Sequence, residues 1–188
     1  MLSGDNEIVF VNKILSGDRN AFIVLIKNYE RLVLHIVTPL IGINEDREDI
    51  CQEVFIKVYE KLNTFQFKSK LGTWIGNIAY NTSINFLQKK RNVLMSELSP
   101  DHDIHSFIED MQSDGVNPEK IIIKKEDIKQ LNLAIDELPK IQKSIVLLYY
   151  QEEVSLEEIG KILEIPVNTV KSHLFRARKS LKELLTVI

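Results

Sequence analysis

Residues 155–182 contain two amphipathic helical patterns separated by a proline, and this feature most restricts how the chain can fold. Ser155, followed three residues later by Glu158, forms a capping box, which predicts the start of a short helix. Pro166 interrupts the first pattern, and Asn168 is predicted to cap the second helix. The segment therefore predicts a helix-turn-helix, a motif in which the second helix lies in the major groove of DNA.

The second helix of this motif has one apolar stripe and one polar, basic face. Residues 171–182 include five basic residues and no acidic residue. Such side chains can bond phosphates and base edges, and an outward-facing Phe can contact a thymine methyl group. A solvated basic helix end, favoured by the helix dipole, is the alternative. The predicted DNA contacts are Asn168, Thr169, Lys171, Ser172, Phe175, Arg176 and Lys179.

Helical patterns continue through most of the remaining chain, and no convincing alternating strand pattern occurs. We predict an all-α fold of two small helical domains joined by a flexible acidic linker, the C-terminal domain carrying the helix-turn-helix. The expected domains are residues 1–92 and 118–188, with the linker at 93–117. Predicted helices span 5–15, 18–38, 45–62 and 71–91 in the first domain, and 118–137 and 139–150 before the helix-turn-helix.

Charge, cysteine content and the length of apolar stretches indicate what the chain can bind and where in the cell it acts. The net charge is −3, and residues 92–127 carry nine acidic against three basic residues, so both ends can present basic patches. Cys51 is the single cysteine and is expected to be a small buried residue rather than a redox group. The N-terminus lacks a signal-peptide pattern, and the longest apolar stretch, 32–43, is too short for a membrane span. We therefore expect a cytoplasmic protein without membrane insertion.

The helices at 45–62 and 71–91 each have a polar face that can meet a partner. On the first, Glu45 and Asp46 suit a helix N-terminus, but the polar face continues far beyond them. On the second, amides and Tyr80 lie opposite the apolar stripe. Residues 61–91 contain six basic residues and no acid. Such side chains can stack and hydrogen-bond unpaired bases, although a solvated surface would have the same pattern.

Three blocks in this order resemble the extracytoplasmic-function sigma factors of bacterial RNA polymerase, the minimal two-domain members of the sigma-70 family. The blocks are REDICQEVFIKVYEKL at 47–62, FKSKLGTWIGNIAYNTSINFLQKKR at 67–91, and IDELPKIQKSIVLLYYQEEVSLEEIGKILEIPVNTVKSHLFRARKSL at 135–181. They cover nearly the whole chain apart from the linker. A helix-turn-helix alone would be weak support, whereas all three blocks together are specific.

The resemblance implies a role for each block. The helix at 46–62 would bind the clamp coiled coil of core RNA polymerase, through Asp49, Gln52, Glu53 and Phe55. The loop and helix that follow would capture the unpaired minus-10 strand, through Lys68, Lys70, Asn77, Tyr80, Asn81 and Asn85. The helix at 168–182 would read the minus-35 duplex. The polymerase flap, promoter DNA and an inhibitory anti-sigma factor are the other implied partners, and no cofactor or metal is expected.

The linker supports this assignment on physical grounds. Fully extended, ~25 residues reach ~80–90 Å, whereas a flexible coil of that length averages ~25–30 Å. Promoter elements ~17 base pairs apart are ~58 Å apart. The linker can span them only when held extended, so we expect the free chain to read promoters poorly. Its acids could occupy basic channels meant for nucleic acid, or could simply keep the segment soluble.

Two other classes of function are possible for a helical chain with a helix-turn-helix. A stand-alone helix-turn-helix regulator would bind a palindrome as a dimer and would need no polymerase for a tight promoter complex. An enzyme has no support, because the chain contains no Gly-rich phosphate loop, no metal-spaced Cys/His set and no nucleophile motif. RNA synthesis would be catalysed by the polymerase.

Overall fold

The computed structural model describes residues 4–42, 44–95 and 124–186, and all regular structure in these ranges is helical. The predicted all-α fold is confirmed. A short 3-10 turn, Leu62–Thr64, follows the third helix. The helices are α1 (Gly4–Leu15), α2 (Arg19–Leu40), α3 (Asn44–Lys61), α4 (Leu71–Met95), α5 (Lys124–Asp136), α6 (Lys140–Tyr150), α7 (Leu156–Ile162) and α8 (Val167–Thr186).

Local signals place the helix starts close to where the sequence predicts them. Asp18 caps α2, since its side chain accepts a hydrogen bond from the Ala21 amide at 3.1 Å. α2 extends two residues past the predicted end at 38, because Pro39 lies in the last turn, where it removes only one backbone donor. The predicted linker, 93–117, and the predicted helix start at 118 lie largely or wholly outside the described residues.

The two halves of the chain pack directly against each other. α2 contacts α3 and α4 within the first half and α6 in the second, while α4 contacts α7. The buried apolar side chains of both halves form one continuous cluster. Lys140 on α6 also donates a hydrogen bond to the carbonyl of Leu40, at 3.2 Å. The sequence predicts two domains joined by a linker, and the structure adds a shared core between them.

The breadth of the buried surface on α2 explains this shared core. Its buried side chains do not form one narrow stripe, because Leu32, Val33, Ile36 and Val37 are all buried. A helix that is apolar over so wide an arc needs neighbours on more than one side. Among the described residues, no helix is both long and apolar enough to cross a bilayer.

Candidate nucleic-acid interface

The helix-turn-helix begins with the predicted capping box. Ser155 Oγ accepts a hydrogen bond from the Glu158 amide at 3.3 Å, and Glu158 Oε2 accepts one from the Ser155 amide at 3.2 Å. The turn is closed by the Ile165 amide, which donates to the carbonyl of Gly160 at 3.0 Å. A Cβ at position 160 would lie 2.9 Å from the Ile165 carbonyl oxygen, so this turn requires glycine there.

The predicted N-cap of the second helix is wrong by two residues. α8 begins at Val167, and the carbonyl of Pro166 already accepts the amides of Thr169 at 2.9 Å and Val170 at 3.1 Å. Pro166 therefore takes the cap position, although its ring offers no side-chain acceptor. Asn168 lies in the first turn and is exposed, so it remains available to DNA.

α8 separates its buried and exposed faces as predicted. Leu174 is 4% exposed and packs inward with Val170 and Ala177, while Phe175 is 71% exposed. Of the predicted DNA contacts, only Thr169 is half-buried, and the others are exposed: Asn168, Lys171, Ser172, Phe175, Arg176 and Lys179. An apolar ring left so open among cations is typical of a contact surface.

Arginine residues of α8 make contacts within the protein. Arg178 donates a hydrogen bond to the Tyr150 hydroxyl at 2.6 Å, and its guanidinium lies over the rings of Tyr149 and Tyr150. Arg178 thus attaches α8 to α6. Arg176 contacts His173 Nδ1 at 3.4 Å. A guanidinium has five donors, so this contact leaves others for DNA.

The polar face of α4 is in contact with the helix-turn-helix. Lys70 Nζ lies 3.0 Å from Glu158 Oε1. Glu164 Oε1 accepts hydrogen bonds from Asn77 Nδ2 at 3.0 Å and Asn81 Nδ2 at 2.9 Å. Three of the residues predicted to capture the minus-10 strand are therefore already engaged by carboxylates from the second half of the chain.

The predicted outward orientation of Tyr80 is wrong. Tyr80 is only 5% exposed and belongs to the buried cluster. Desolvation, together with the charge of Glu164, raises the pKa of its hydroxyl. Tyr80 cannot stack on a base while it is covered in this way. Lys68 and Asn85 are exposed.

A wide groove runs between α2 and α3, with a volume of about 1020 Å³ and mostly apolar walls. Gln52 and Phe55 line it, whereas Asp49 does not and Glu53 pairs with Lys57 at 2.6 Å. The structure thus brings together two of the four residues predicted to bind polymerase.

The apolar walls of this groove were missed by the sequence analysis. Ile23, Ile56 and Tyr59 line it and are about half exposed. The sequence pattern could have predicted an apolar surface here, because these apolar residues fall outside the buried stripes of their helices. Cys51 also lines the groove, and burial together with Glu48 raises the pKa of its thiol to about 11. The thiol is therefore neutral near pH 7. Cys51 is only half-buried, so the prediction of a fully buried residue is wrong.

Comparison with known proteins gives a consistent match over nearly the whole chain. The family described as Sigma-70 region 2 matches residues 25–93, and Sigma-70 region 4 matches 128–181. The ECF RNA polymerase sigma factor SigW of Bacillus subtilis is 31% identical over 93% of this chain and 94% of that protein. The ECF RNA polymerase sigma-E factor of Escherichia coli K12 is 32% identical over 92% of this chain and 91% of that protein.

Solved structures show the same fold. The sigma factor RpoE of Bartonella quintana, in complex with the anti-sigma factor NepR, matches with a TM-score of 0.65 and 23% identity, over 88% of this chain and 97% of that chain. CnrH in complex with the cytosolic domain of CnrY matches with a TM-score of 0.61 and 16% identity, over 96% and 97%.

Proposed function

This chain belongs to the extracytoplasmic-function RNA polymerase sigma factors of the sigma-70 family, and we propose that it directs core polymerase to promoters by reading a minus-35 duplex with α8 and an unpaired minus-10 strand with α4. The observation that best supports the minus-35 assignment is the exposed basic face of α8. There Phe175 and Arg176 project from a helix whose opposite stripe is buried. Such a face can enter a major groove while the buried stripe holds the helix on its domain.

The minus-10 assignment is supported by the chemistry of the polar face of α4. Asn77 and Asn81 lie one helical turn apart and present amide donors to the same carboxylate oxygen of Glu164. Groups that converge on one oxygen can also converge on an acceptor of a base or a phosphate. Lys68 and Lys70, in the loop before α4, supply the positive charge that a backbone requires.

The α2–α3 groove is the surface that we assign to the clamp coiled coil of core polymerase. A helical partner suits it, because its walls are mostly the apolar sides of two helices, and Gln52 and Glu60 add polar groups to the lining. Exposed leucines near the end of α8, Leu184 and Leu185, offer a second apolar surface to the polymerase flap. An anti-sigma factor would compete for one of these surfaces.

The chain itself would catalyse no reaction, and it would act in the cytoplasm, where polymerase is found.

Run-off transcription with purified core polymerase and genomic DNA, followed by mapping of start sites, tests this function. We expect new start sites that require this chain and share sequence elements near −35 and −10. If the chain neither associates with polymerase nor creates new start sites, the proposal is wrong. A tight complex with duplex DNA that forms equally well without polymerase would instead favour a stand-alone regulator.

Replacing Arg176 by Ala should weaken binding of the holoenzyme to the mapped promoter by about 1–3 kcal/mol if its guanidinium contacts a base. The effect should be concentrated at one position of the minus-35 element, because a base contact discriminates among sequences. Competition binding with single-base variants of the element measures this. Lys27→Ala, which removes an exposed cation from α2, is the control and should bind normally. An equal loss on every DNA sequence would make Arg176 a phosphate contact.

A further inference from the structure

A cavity of about 570 Å³ lies where α1, α2, the start of α4 and the turn that leads into α7 meet. This volume lies within the roughly 300–1000 Å³ that is typical of sites for small molecules. None of the lining residues belongs to the α2–α3 groove or to α8. Of the residues assigned to the minus-10 strand, only Lys70 lines the cavity. It is therefore separate from the surfaces assigned to polymerase and to the minus-35 duplex.

The lining of this cavity carries more negative than positive charge. Its charged residues are four carboxylates and one cation: Glu7, Glu152, Glu153, Glu158 and Lys70. Glu152 is paired with Arg31 at 2.8 Å. Glu158 is paired with Lys70 at 3.0 Å. Neither Glu7 nor Glu153 is paired with a cation among the residues that the structure describes. Two carboxylates of the lining therefore lack a compensating charge from the protein.

Glu7 brings one of these carboxylates into the protein interior. The residue is 9% exposed, and its Oε1 accepts a hydrogen bond from the Leu71 amide at 3.0 Å, which caps the first turn of α4. Its Oε2 accepts no hydrogen bond from the described part of the chain. A buried carboxylate costs free energy unless both of its oxygens are paired. Glu7 thus retains an acceptor for a donor that comes from outside the chain.

Tyr29 offers a second buried polar group to the cavity. It is 9% exposed, and its hydroxyl forms no hydrogen bond within residues 4–42, 44–95 and 124–186. Its ring lies against α4, since a Cβ at Gly72 would be 3.1 Å from Tyr29 Cε1. Burial, together with the charge of Glu7, raises the pKa of Tyr29 to about 12. The hydroxyl therefore stays neutral, and its oxygen can accept a hydrogen bond from a cationic donor.

The arrangement of these groups favours an organic cation over a metal ion. Nowhere in the described ranges do three acidic, His or Cys side chains come close enough together to hold a metal. Leu32, Val154 and the ring of Tyr29 add apolar walls to the cavity. Such walls suit methylene groups, as they do for the aliphatic stem of a lysine. A linear diamine combines a methylene chain with an ammonium group at each end, and each ammonium has three donors.

From this cavity we propose that the chain binds a linear aliphatic diamine between α1, α2 and the turn that leads into α7. One ammonium group is held by the free oxygen of Glu7 and the Tyr29 hydroxyl. The other pairs with Glu153, which is exposed and lies at the rim. The methylene chain lies against the apolar walls. Two ammonium groups match the two carboxylates that have no cation of their own, whereas a monoamine would match only one.

Isothermal titration calorimetry of the full-length chain with putrescine, a linear diamine, tests this site. We expect saturable binding of one diamine per chain. Butylamine has the same carbon chain but one ammonium group, and should bind about tenfold more weakly, which corresponds to about 1.4 kcal/mol. Magnesium chloride at the same concentration of positive charge should not displace putrescine. These comparisons use the unaltered chain and so do not depend on the stability of any variant.

Glu7→Gln removes the buried charge and keeps an oxygen for the Leu71 amide. This variant should bind putrescine about tenfold more weakly, because it loses a charge-assisted hydrogen bond. Glu157→Gln is the matched control, since it removes the same charge from an exposed position of α7 that does not line the cavity. It should bind putrescine like the unaltered chain.

Four outcomes would overturn the diamine site: no saturable binding, equal affinity for butylamine, displacement by magnesium chloride, or equal affinity of the two variants. None of them bears on the sigma-factor function, which is tested by polymerase-dependent start sites.

Discussion

Replacing Leu174 by Asp should unfold the second half of the chain. Leu174 is 4% exposed and packs between Val170 and Ala177 against the core of the helix-turn-helix. The change removes a buried leucine, which typically costs about 2–5 kcal/mol, and adds a carboxylate that has no partner in an apolar site. Total stabilities are typically about 5–15 kcal/mol. Thermal melting followed by circular dichroism should therefore show a large loss of helix at temperatures at which the unaltered chain is folded.

The neighbouring residue provides a control of the same chemistry. Phe175→Asp introduces the same side chain one position later, where the ring it replaces is 71% exposed. The free energy of unfolding of this variant should lie within about 0.5 kcal/mol of that of the unaltered chain, because exposed positions tolerate such changes. It should nonetheless lose minus-35 binding, since a negative charge would face the phosphates. Native-like melting of the Leu174→Asp chain would contradict the assignment of the buried stripe.

Features that depend on a few consecutive residues could be predicted from the sequence. The capping box at Ser155 and Glu158 was predicted correctly, because it depends on side chains within three positions of the helix start. The helix predicted to begin at residue 18 begins at Arg19, with Asp18 as its cap. Asn168 was misassigned as a cap even at this short range. The carbonyl of Pro166 accepts the first helical hydrogen bonds, and so the helix starts before Asn168.

Features that depend on distant parts of the chain could not be predicted in the same way. Helical periodicity identifies a polar face on α4 but does not say what covers it, so Tyr80 was assigned to the outside. Tyr80 belongs to a buried cluster whose members come from both halves of the chain, and periodicity within one helix does not predict that packing. The α2–α3 groove is a similar case. Ile23 and Ile56 are recognisable as apolar residues, but their meeting depends on how two helices cross.

Replacing Ile56 by Asp should strongly weaken the association of the chain with core polymerase. Ile56 is 57% exposed on α3 and lines the groove that we assign to the clamp coiled coil. A charge buried against an apolar partner, together with the lost contact, should cost about 2–4 kcal/mol, as at interface hot spots. That range corresponds to about a 30- to 1000-fold weaker complex. Biolayer interferometry with immobilised core polymerase measures the affinity directly.

Val9→Asp is the matched control for this prediction. Val9 is also 57% exposed, but it lies on α1 and does not line the groove, so the same substitution tests charge and exposure without the contact. Both variants should melt like the unaltered chain, and only Ile56→Asp should bind polymerase more weakly. Equal polymerase binding by the two variants would remove the groove as the docking surface. Because the groove lies away from α8, Ile56→Asp should leave the contact of α8 with duplex DNA unchanged, so that loss of initiation can be assigned to polymerase docking alone.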